Sequence, residues 1–277
     1  MTRSWTMEDT ARVLHRPTAA DDKYSRGVLG VRTGSDAYPG AAVLGVEAAW
    51  RTGLGMVRYV GPARPTALVL ARRPETVATD GRVQAWLIGS GTDAASRASG
   101  ETEALRAILH DTDPVIVDAG ALDLAADATA PRILTPHDRE HARLRTSLGL
   151  APAGHDRVAS AVETAEATGA VVLLKGSATI VAAPDGAAFD VAAGTPWLAT
   201  AGTGDVLGGV IGALVAGAVA GERRADAASL AALAAAGAWL HGHAARQASA
   251  ERGGGPITAL DVAEALPRVV AEVLDAG

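Results

Sequence analysis

The segment Leu198-Ala-Thr-Ala-Gly-Thr-Gly-Asp-Val-Leu-Gly-Gly209 places two glycines and an aspartate directly before a long uncharged stretch. Glycine leaves the backbone N–H groups unobstructed, so a turn at Gly202 and Gly204 can present them to a ligand. A helix that begins here directs the positive end of its dipole at the same space, which suits a phosphate group. Asp205 at the edge of that space can accept a proton from a substrate hydroxyl. An ordinary helix start has the same residues, so this segment alone leaves both interpretations open.

The chain has 277 residues, of which 48% are apolar and 3% aromatic, with 32 glycines and a net charge of −6. This composition is typical of an α/β domain whose core is built from small aliphatic side chains. Nucleic acid is not expected as a partner, because no basic stripe accompanies the negative net charge. The sequence has no cysteine, which excludes disulfides, thiolate metal sites and a cysteine nucleophile.

Residues 1–22 carry mixed charges without an apolar run, so we interpret them as a flexible or helical leader and not as a signal peptide. The longest uncharged stretches are Val206–Gly221 and Ala227–Ala245. Both are rich in glycine and alanine, and the first is shorter than the ~20 residues of a membrane-spanning helix. We therefore expect two buried helices in a soluble, cytoplasmic protein that does not act at a membrane and forms one domain over residues 1–277.

Short apolar runs alternate with segments of helical spacing along the chain. The predicted strands are Gly27–Val31, Met56–Val60, Ala85–Ile88, Pro114–Val117, Arg132–Leu134 and Val171–Leu174, followed by a hairpin of Thr179–Ala183 and Ala187–Val191. The predicted helices are Ala41–Thr52, a short one within residues 62–81, Glu101–His110, Asp138–Leu148, Ala153–Thr168, the two uncharged stretches and Ala259–Leu274. The alternation predicts an α/β fold with a doubly wound, mostly parallel sheet flanked by helices.

Polar or glycine-rich segments follow the predicted strands, and ligands of such sheets bind along the carboxyl edge of the strands. The segments that could meet in one site at this edge are Gly34–Ala41, Gly89–Asp93, Asp118, His137, Lys175 and Asp205. Only two of the 25 basic residues are lysines, and neither belongs to a P-loop motif. Of these, Lys175 could meet a phosphate as a point charge, although a solvated lysine fits the same position.

Three further patterns favour ordinary structural roles. Gly89-Ser-Gly-Thr-Asp-Ala94 matches the dinucleotide-binding pattern, but the acid that should follow about 20 residues later is missing, so a tight turn after a strand is the better interpretation. His137-Asp-Arg-Glu-His141 matches a zinc-peptidase pattern, but a third zinc ligand cannot be identified in the sequence. His241 and His243 point in different directions on a helix and make a poor metal pair. No nucleophile elbow is present.

In this order, the motifs resemble those of the ADP-dependent NAD(P)H-hydrate dehydratases, a family of the ribokinase-like superfamily. The resemblance extends over roughly Lys23 to Ala245. It is carried by Lys23–Gly27, Gly34–Ala41, Ile88–Gly91, Val117–Leu122, Leu134–His137, Leu174–Thr179, Gly202–Asp205 and Leu240–Gly242.

The resemblance implies a ribokinase-like, three-layer fold and repair of the (6S)-hydrate of NADH or NADPH. ADP (or ATP), together with Mg²⁺, would phosphorylate the hydroxyl on C6 of the nicotinamide ring. Phosphate would then leave and regenerate NAD(P)H, with AMP as the second product. Asp205 would act as the base, and the amides of Gly202, Thr203 and Gly204 would hold the transferred phosphoryl group.

The matching motif positions also imply binding roles. Those expected to contact the hydrate are Ala41, Gly91, His137 and Asp205. Those expected to hold the adenine nucleotide are Lys175, Gly176, Ser177, Ala178, Thr179 and Gly204. The family likeness further implies a homo-oligomer, a tetramer, and a separate NAD(P)H-hydrate epimerase acting in the same pathway.

The chain departs from the family pattern at several positions. Ser90 stands where the relatives have proline, Gly120 replaces the second acid of an Asp-Ala-Asp-Ala-Leu-Asn pattern, and Asp123 replaces its asparagine. Asp138-Arg139 replace Pro-Gly. The missing acid at Gly120 is the departure that most affects the expected metal geometry. The sequence does not identify the metal ligands. Three alternatives remain: a related kinase of a vitamin-type alcohol, a non-catalytic nucleotide-binding relative, for which Gly120 is the only hint, and a zinc hydrolase using His137, Glu140 and His141.

Overall fold

We analysed a computed structural model that describes residues 2–192 and 194–276, so the two ends of the predicted 1–277 domain fall outside it. Within the described residues one sheet contains the strands β1 Arg3–Ser4, β2 Val28–Arg32, β3 Met56–Tyr59, β4 Ala85–Ile88, β5 Val115–Val117, β6 Arg132–Leu134, β7 Val171–Leu174, β8 Ala178–Ala182 and β9 Ala188–Ala192. Every strand predicted from the sequence is present, within one or two residues at its ends.

The described strands lie in the order β1-β9-β8-β7-β6-β5-β4-β2-β3. From β3 to β7 each neighbouring pair is parallel, whereas β8 is antiparallel to both β7 and β9. The predicted doubly wound, mostly parallel sheet and its hairpin are thus confirmed. Because β9 runs in the same direction as β7, the segments after β2, β4, β5, β6, β7 and β9 all leave the sheet at one edge.

Helices cover both faces of this sheet. They are α1 Met7–Ala11, α2 Gly40–Arg51, α3 Ala63–Arg72, α4 Ser99–Leu109, α5 Asp138–Ser147, α6 Arg157–Thr168, α7 Thr203–Ala220, α8 Ala227–Ala250 and α9 Ala259–Ala276, with short 3₁₀ helices at Ala119–Asp127 and Pro196–Leu198. Alternate residues of each central strand enter different cores. In β4, for example, Leu87 belongs to the core that includes residues of α2, α7, α8 and α9, whereas Trp86 belongs to the core that includes residues of α4, α5 and α6. The sheet therefore separates two apolar layers.

Helix α7 is the element that carries the glycine-rich turn to the sheet edge. It is long and apolar enough to cross a membrane, but 61% of it is buried inside the fold. A Cβ added at Gly209 would lie 2.2 Å from the backbone oxygen of Gly45, so these glycines let α7 and α2 pack at close range. Both helices begin at the carboxyl edge of the sheet, and the two buried helices expected from the sequence, α7 and α8, are confirmed.

Three local features differ from the sequence-based expectation. The leader is helical at α1, as expected, but it also adds the edge strand β1 beside β9, and Trp5 is buried against Phe189. Helix α6 begins after Asp156, whose side chain caps Ala159, and so starts four residues later than predicted. The 3₁₀ helix Ala119–Asp127 was not predicted, because its residues show no helical apolar spacing.

Candidate active site

The turn before α7 is fixed by backbone conformation and by one threonine. Gly202 adopts a left-handed conformation (φ 89°) and is the N-cap of the helix. The hydroxyl of Thr203 donates to the carbonyl oxygens of Leu198 and Thr200. The left-handed conformation favours glycine at position 202. The backbone N–H groups in the first turn of α7 have no partner within the helix and can point at a ligand.

Asp205 lies in the first turn of α7 and is half-buried. Burial disfavours its charged form, and the negative charge of Asp118 adds to this effect, while Lys175 opposes it. Together they raise the pKa of Asp205 to about 7. A carboxyl group with this pKa changes its charge close to neutral pH, which suits a general base.

Lys175 follows β7 and forms an ion pair beside this carboxyl group. Its Nζ donates to Oδ1 of Asp118 at 2.8 Å and lies 3.8 Å from Oε2 of Glu140. Burial lowers the pKa of Lys175, but Asp118 and Glu140 outweigh burial and raise it above the ordinary lysine value. Lys175 is thus a permanent cation at this edge.

Asp118 follows β5 and is 3% exposed. Its Oδ1 accepts from Lys175 and, at 2.7 Å, from the hydroxyl of Thr135, and its Oδ2 accepts at 2.9 Å from the hydroxyl of Ser90. Burial alone would raise the pKa of Asp118, but Lys175 and these hydroxyls hold it below the usual range. Asp118 is therefore charged, and both its oxygens are engaged.

His137 is the N-cap of α5 and lies at the same sheet edge. Its Nδ1 accepts from the amides of Arg139 and Glu140, and its own amide donates to Oε2 of Glu140. The ring of His141 instead points into the fold and bonds to Thr164 at 2.8 Å. The zinc pattern noted in the sequence is therefore not assembled, and no group of three His, Cys, Asp or Glu side chains among the described residues could hold a metal ion.

A cavity of about 810 Å³ opens between α7, α8 and the loops after β6, β7 and β9. Its apolar wall includes Val191, Leu198, Leu207 and Ala238. The residues predicted from the sequence that line it are His137, Lys175, Gly176, Ser177, Thr179, Thr203 and Gly204. The cavity thus has a polar end, where a phosphate group could bind, and an apolar end, where an adenine ring could lie.

The other predicted residues, Ala41, Gly91, Ala178, Gly202 and Asp205, are not among those that line this cavity. Ala41 and Gly91 pack against each other, since a Cβ added at Gly91 would be 2.5 Å from the Cβ of Ala41. Gly91 has a φ of 66° and directly follows Ser90, the partner of Asp118. The carbonyl of Ala178, in β8, accepts from Arg157. The predicted residues therefore lie along the carboxyl edge of the sheet, but His137, which was predicted to contact the hydrate, lines the same cavity as most of the predicted nucleotide set.

Sequence reasoning gave no role at this edge to four side chains. Ser90 and Thr135 hold Asp118, and Arg157 fixes the Lys175 loop by donating to the carbonyls of Lys175 and Ala178. His241 is 8% exposed in the cavity wall, its Nε2 has no partner among the described residues, and burial lowers its pKa to about 4. Only Thr135, within the Thr-Pro-His motif, carried a signal in the sequence.

Gly89-Ser-Gly91 forms a tight turn after a strand, as we predicted in preference to a dinucleotide-binding fingerprint. It closes a bend after β4, and the next helix, α4, begins only at Ser99. A dinucleotide fingerprint would open a helix directly. The Rossmann alternative is therefore wrong for this chain.

A family model described as NAD(P)H-hydrate dehydratase matches residues 29–268. The "Bifunctional NAD(P)H-hydrate repair enzyme Nnr" of Mycobacterium tuberculosis is 48% identical over 208 residues, which are 70% of this chain and 42% of that protein. The "ADP-dependent (S)-NAD(P)H-hydrate dehydratase" of Neisseria meningitidis is 37% identical over 239 residues, 79% of this chain and 76% of that protein. The chain therefore spans less than half the length of the bifunctional relative.

Solved structures agree with the sequence matches. The ADP/ATP-dependent NAD(P)H-hydrate dehydratase of Bacillus subtilis, co-crystallised with ATP and Mg²⁺, superimposes with a TM-score of 0.83 at 29% identity, covering 98% of this chain and 99% of that one. A ribokinase-like superfamily protein of Enterococcus faecalis gives 0.81 at 22% identity over 98% and 96% of the chains, which confirms the ribokinase-like fold. With its sheet topology, its glycine turn and these matches, the chain belongs to the NAD(P)H-hydrate dehydratase family.

Proposed function

We propose that this chain catalyses the ADP-dependent dehydration of the (6S)-hydrate of NADH or NADPH, a repair reaction that returns the reduced cofactor. The observation that carries the proposal is the half-buried carboxyl group of Asp205, with a raised pKa, in the first turn of α7 beside the permanent cation Lys175. The names and activities of the family relatives support the same substrate and donor.

In the first step the hydroxyl on C6 of the hydrated ring attacks the β-phosphorus of ADP. A bond forms between the hydroxyl oxygen and that phosphorus, the bond from phosphorus to the bridging oxygen breaks, and AMP leaves. Asp205 takes the hydroxyl proton. The amides at the start of α7 and Lys175 offset the charge that spreads over the transferring oxygens, and such positioning supplies most of the acceleration in phosphoryl transfers.

In the second step the phosphate ester leaves from C6 with its electron pair. A proton then departs from the neighbouring ring carbon, and the double bond of NAD(P)H is restored. Hydroxide is a poor leaving group and phosphate a good one, so phosphorylation makes the dehydration possible. AMP and phosphate are the products besides NAD(P)H, and ATP would give ADP in the same way.

The nucleotide would occupy the cavity between α7 and α8. Its phosphates would lie at Gly204 and Lys175, where N–H groups and a cation converge, and its base would lie against the apolar wall. Among the described residues no group of three His, Cys, Asp or Glu side chains is arranged to hold a metal ion. We propose that Mg²⁺ accompanies the nucleotide, since it commonly binds phosphates and keeps its waters.

We further propose a cytoplasmic homo-oligomer, a tetramer, that works beside an NAD(P)H-hydrate epimerase. These proposals rest on the family likeness. Size-exclusion chromatography with light scattering tests the tetramer. The pathway is tested by supplying a mixture of both hydrate epimers to this protein with and without an epimerase.

The function is tested by incubating the purified protein with NADH hydrate, ADP and Mg²⁺ and following the absorbance of the reduced nicotinamide ring. We expect the absorbance to return together with AMP and phosphate in equal amounts. A stable phosphate ester without regenerated NADH would instead favour the kinase alternative. Binding of ADP without any turnover of the hydrate or of alcohol substrates would favour the non-catalytic one.

The raised pKa of Asp205 predicts a pH dependence. Below about pH 7 the carboxyl group is protonated and cannot accept the hydroxyl proton, so kcat/KM should fall about tenfold for each further pH unit. The measurement is kcat/KM for NADH hydrate across the acid and neutral range, with AMP release as the readout. A profile that stays flat down to the ordinary carboxyl range would contradict the assignment of Asp205 as the base.

A further inference from the structure

A second cavity, of about 350 Å³, lies at the opposite end of α7 from Asp205. It is enclosed by residues 52–54 after α2, by the second half of α7, by α9 and by the segment 13–26 near the start of the chain. Among the described residues, none that lines this cavity also lines the cavity between α7 and α8. Sites for small ligands typically have volumes of about 300–1,000 Å³. The fold therefore has a second space for a small molecule, outside the candidate active site.

One wall of this second cavity is apolar. It is formed by Leu14, by Leu54 after α2, by Leu214 in α7 and by Val270 in α9. Leu54 is buried, whereas the other three pack against the core and stay half-buried, so part of their surface faces the cavity. An apolar ligand body would remove this surface from water, which is favourable.

Arg223 brings a cation without a partner to the cavity. Its backbone amide donates to the carbonyl of Ala218, and the amides of Gly221 and Glu222 donate to two further carbonyls of α7. The end of α7 is thus capped by backbone groups and does not need the guanidinium group of Arg223. Within residues 2–192 and 194–276 this guanidinium group has no hydrogen bond or ion pair, and the side chain lines the cavity.

Arg26 lines the same cavity and is fixed in place. Its Nη2 donates to the carbonyl of Gly53 at 2.8 Å. Its Nε is buried and has no hydrogen-bond partner among the described residues. A buried donor without a partner costs free energy, so this guanidinium group is positioned but not saturated.

The carboxylate of Asp21, which also lines the cavity, is engaged within its own loop. Its Oδ2 accepts from the amide and the hydroxyl of Thr18 at 2.7 and 3.0 Å, and its Oδ1 accepts from the hydroxyl of Ser25 at 2.9 Å. The Thr18 amide and these hydroxyls hold the pKa of Asp21 well below its usual range. Nε2 of the exposed His15 lies 3.5 Å from Oδ2. Two arginines and one aspartate therefore leave one positive charge at the cavity uncompensated.

We propose that this cavity binds a small organic monocarboxylate, with its carboxylate at Arg26 and Arg223 and its apolar body against the leucine and valine wall. A guanidinium group presents N–H donors in the geometry that a carboxylate accepts. One negative charge balances the excess at the cavity. A doubly charged phosphate ester would be opposed by Asp21 and by the negative end of the α7 dipole. The inference is independent of the proposed function, because it concerns a different cavity.

The charge of the ligand is tested by calorimetric titration of the full chain with three probes that share one ring. Benzoate carries one charge, benzyl alcohol none and phenyl phosphate up to two. We expect benzoate to bind, benzyl alcohol to bind at least about tenfold more weakly, and phenyl phosphate to bind no tighter than benzoate. No binding of benzoate, or equal binding of benzyl alcohol, would overturn the proposal.

The location of the site is tested with ADP and with a matched pair of variants. Saturating ADP should leave the Kd of benzoate unchanged, because the two cavities have separate walls. Arg223→Gln should raise this Kd about 10–100-fold, the loss expected for a charge-assisted hydrogen bond. Arg224→Gln is the control, since Arg224 is exposed, does not line the cavity and carries the same charge. Competition by ADP, or equal effects of the two substitutions, would contradict the assignment.

A third variant tests the apolar part of the cavity. Ala218 lines the cavity from α7 and is half-buried, so Ala218→Leu should fill the space and abolish benzoate binding. Thermal unfolding without ligand shows whether each variant is folded. If Ala218→Leu does not fold, the Arg223→Gln and Arg224→Gln pair still decides the proposal. A folded Ala218→Leu that binds benzoate as the parent does would overturn it.

Discussion

Replacing Asp205 by asparagine should lower kcat by about 10²–10⁴-fold, the usual contribution of a general base. Asparagine has nearly the same size and can still accept hydrogen bonds, but it cannot take the hydroxyl proton. Binding of ADP should stay close to that of the unmodified protein, because the cavity lining and Lys175 are unchanged. The measurement is single-turnover formation of NADH from its hydrate, with ADP affinity determined in parallel.

The same substitution should stabilise the fold above neutral pH. The pKa of Asp205 is raised from 3.8 to about 7, so this carboxyl group costs stability progressively as the pH rises between these two values, and the full cost is present above the folded value. Asparagine removes this cost, and we expect a gain of about 1–3 kcal/mol at pH 8 after allowance for partial exposure. The gain should shrink as the pH falls through this range and vanish below the unfolded value of 3.8, where the carboxyl group is protonated in both states. A variant that is inactive and less stable at pH 8 would point to a structural role for Asp205.

The sequence was sufficient for the architecture because the central strands are continuous apolar runs. Leu87 and Trp86 enter different cores, so β4 is apolar on both faces, and the same holds for its neighbours. The glycine turn and the polar ends of the strands located the site edge for the same reason, since parallel strands bring their carboxyl ends together.

The sequence could not predict hydrogen-bond partners that are far apart along the chain. Asp118 accepts from residues 28 positions before it and 17 and 57 positions after it, and only the folded sheet brings these groups together. Strand β1 has two residues and no apolar pattern, so its pairing with β9 depends on the burial of Trp5 nearby. His241 lies in a helix that is apolar nearly throughout, and its place in the cavity wall depends on the packing of α8 against α7.

The significance of Gly120 also changes with the structure. From the sequence, the missing acid suggested a weakened metal site. In the fold, residue 120 lies against Thr92, and Arg97 donates to the carbonyl of Gly120 while pairing with Asp123 at 2.6 Å. Residues 120 and 123 therefore belong to one local arrangement that has no room for an acidic side chain at position 120.

Introducing that acid, in Gly120→Asp, should therefore harm the protein. The new Cβ would lie 2.2 Å from the backbone oxygen of Thr92 and 2.5 Å from its hydroxyl, and backbone atoms cannot turn away as a side chain does. We expect a loss of about 1–3 kcal/mol or more in the free energy of unfolding, as for other overpacked sites. Activity should fall as well, because a shift of Thr92 displaces Gly91 and Ser90, and with them the anchor of Asp118.

Gly100→Ala is the matched control for this experiment. Gly100 lies in α4, and a Cβ there meets nothing within 4 Å, so alanine should be neutral or stabilising by up to about 1 kcal/mol. Thermal unfolding and the hydrate assay are measured for both variants. If Gly120→Asp folds as stably as the parent and its turnover rises with Mg²⁺ concentration, the acid restores a metal ligand that this chain can use. A less stable, less active variant would mean that position 120 has no room for an acidic side chain in this fold.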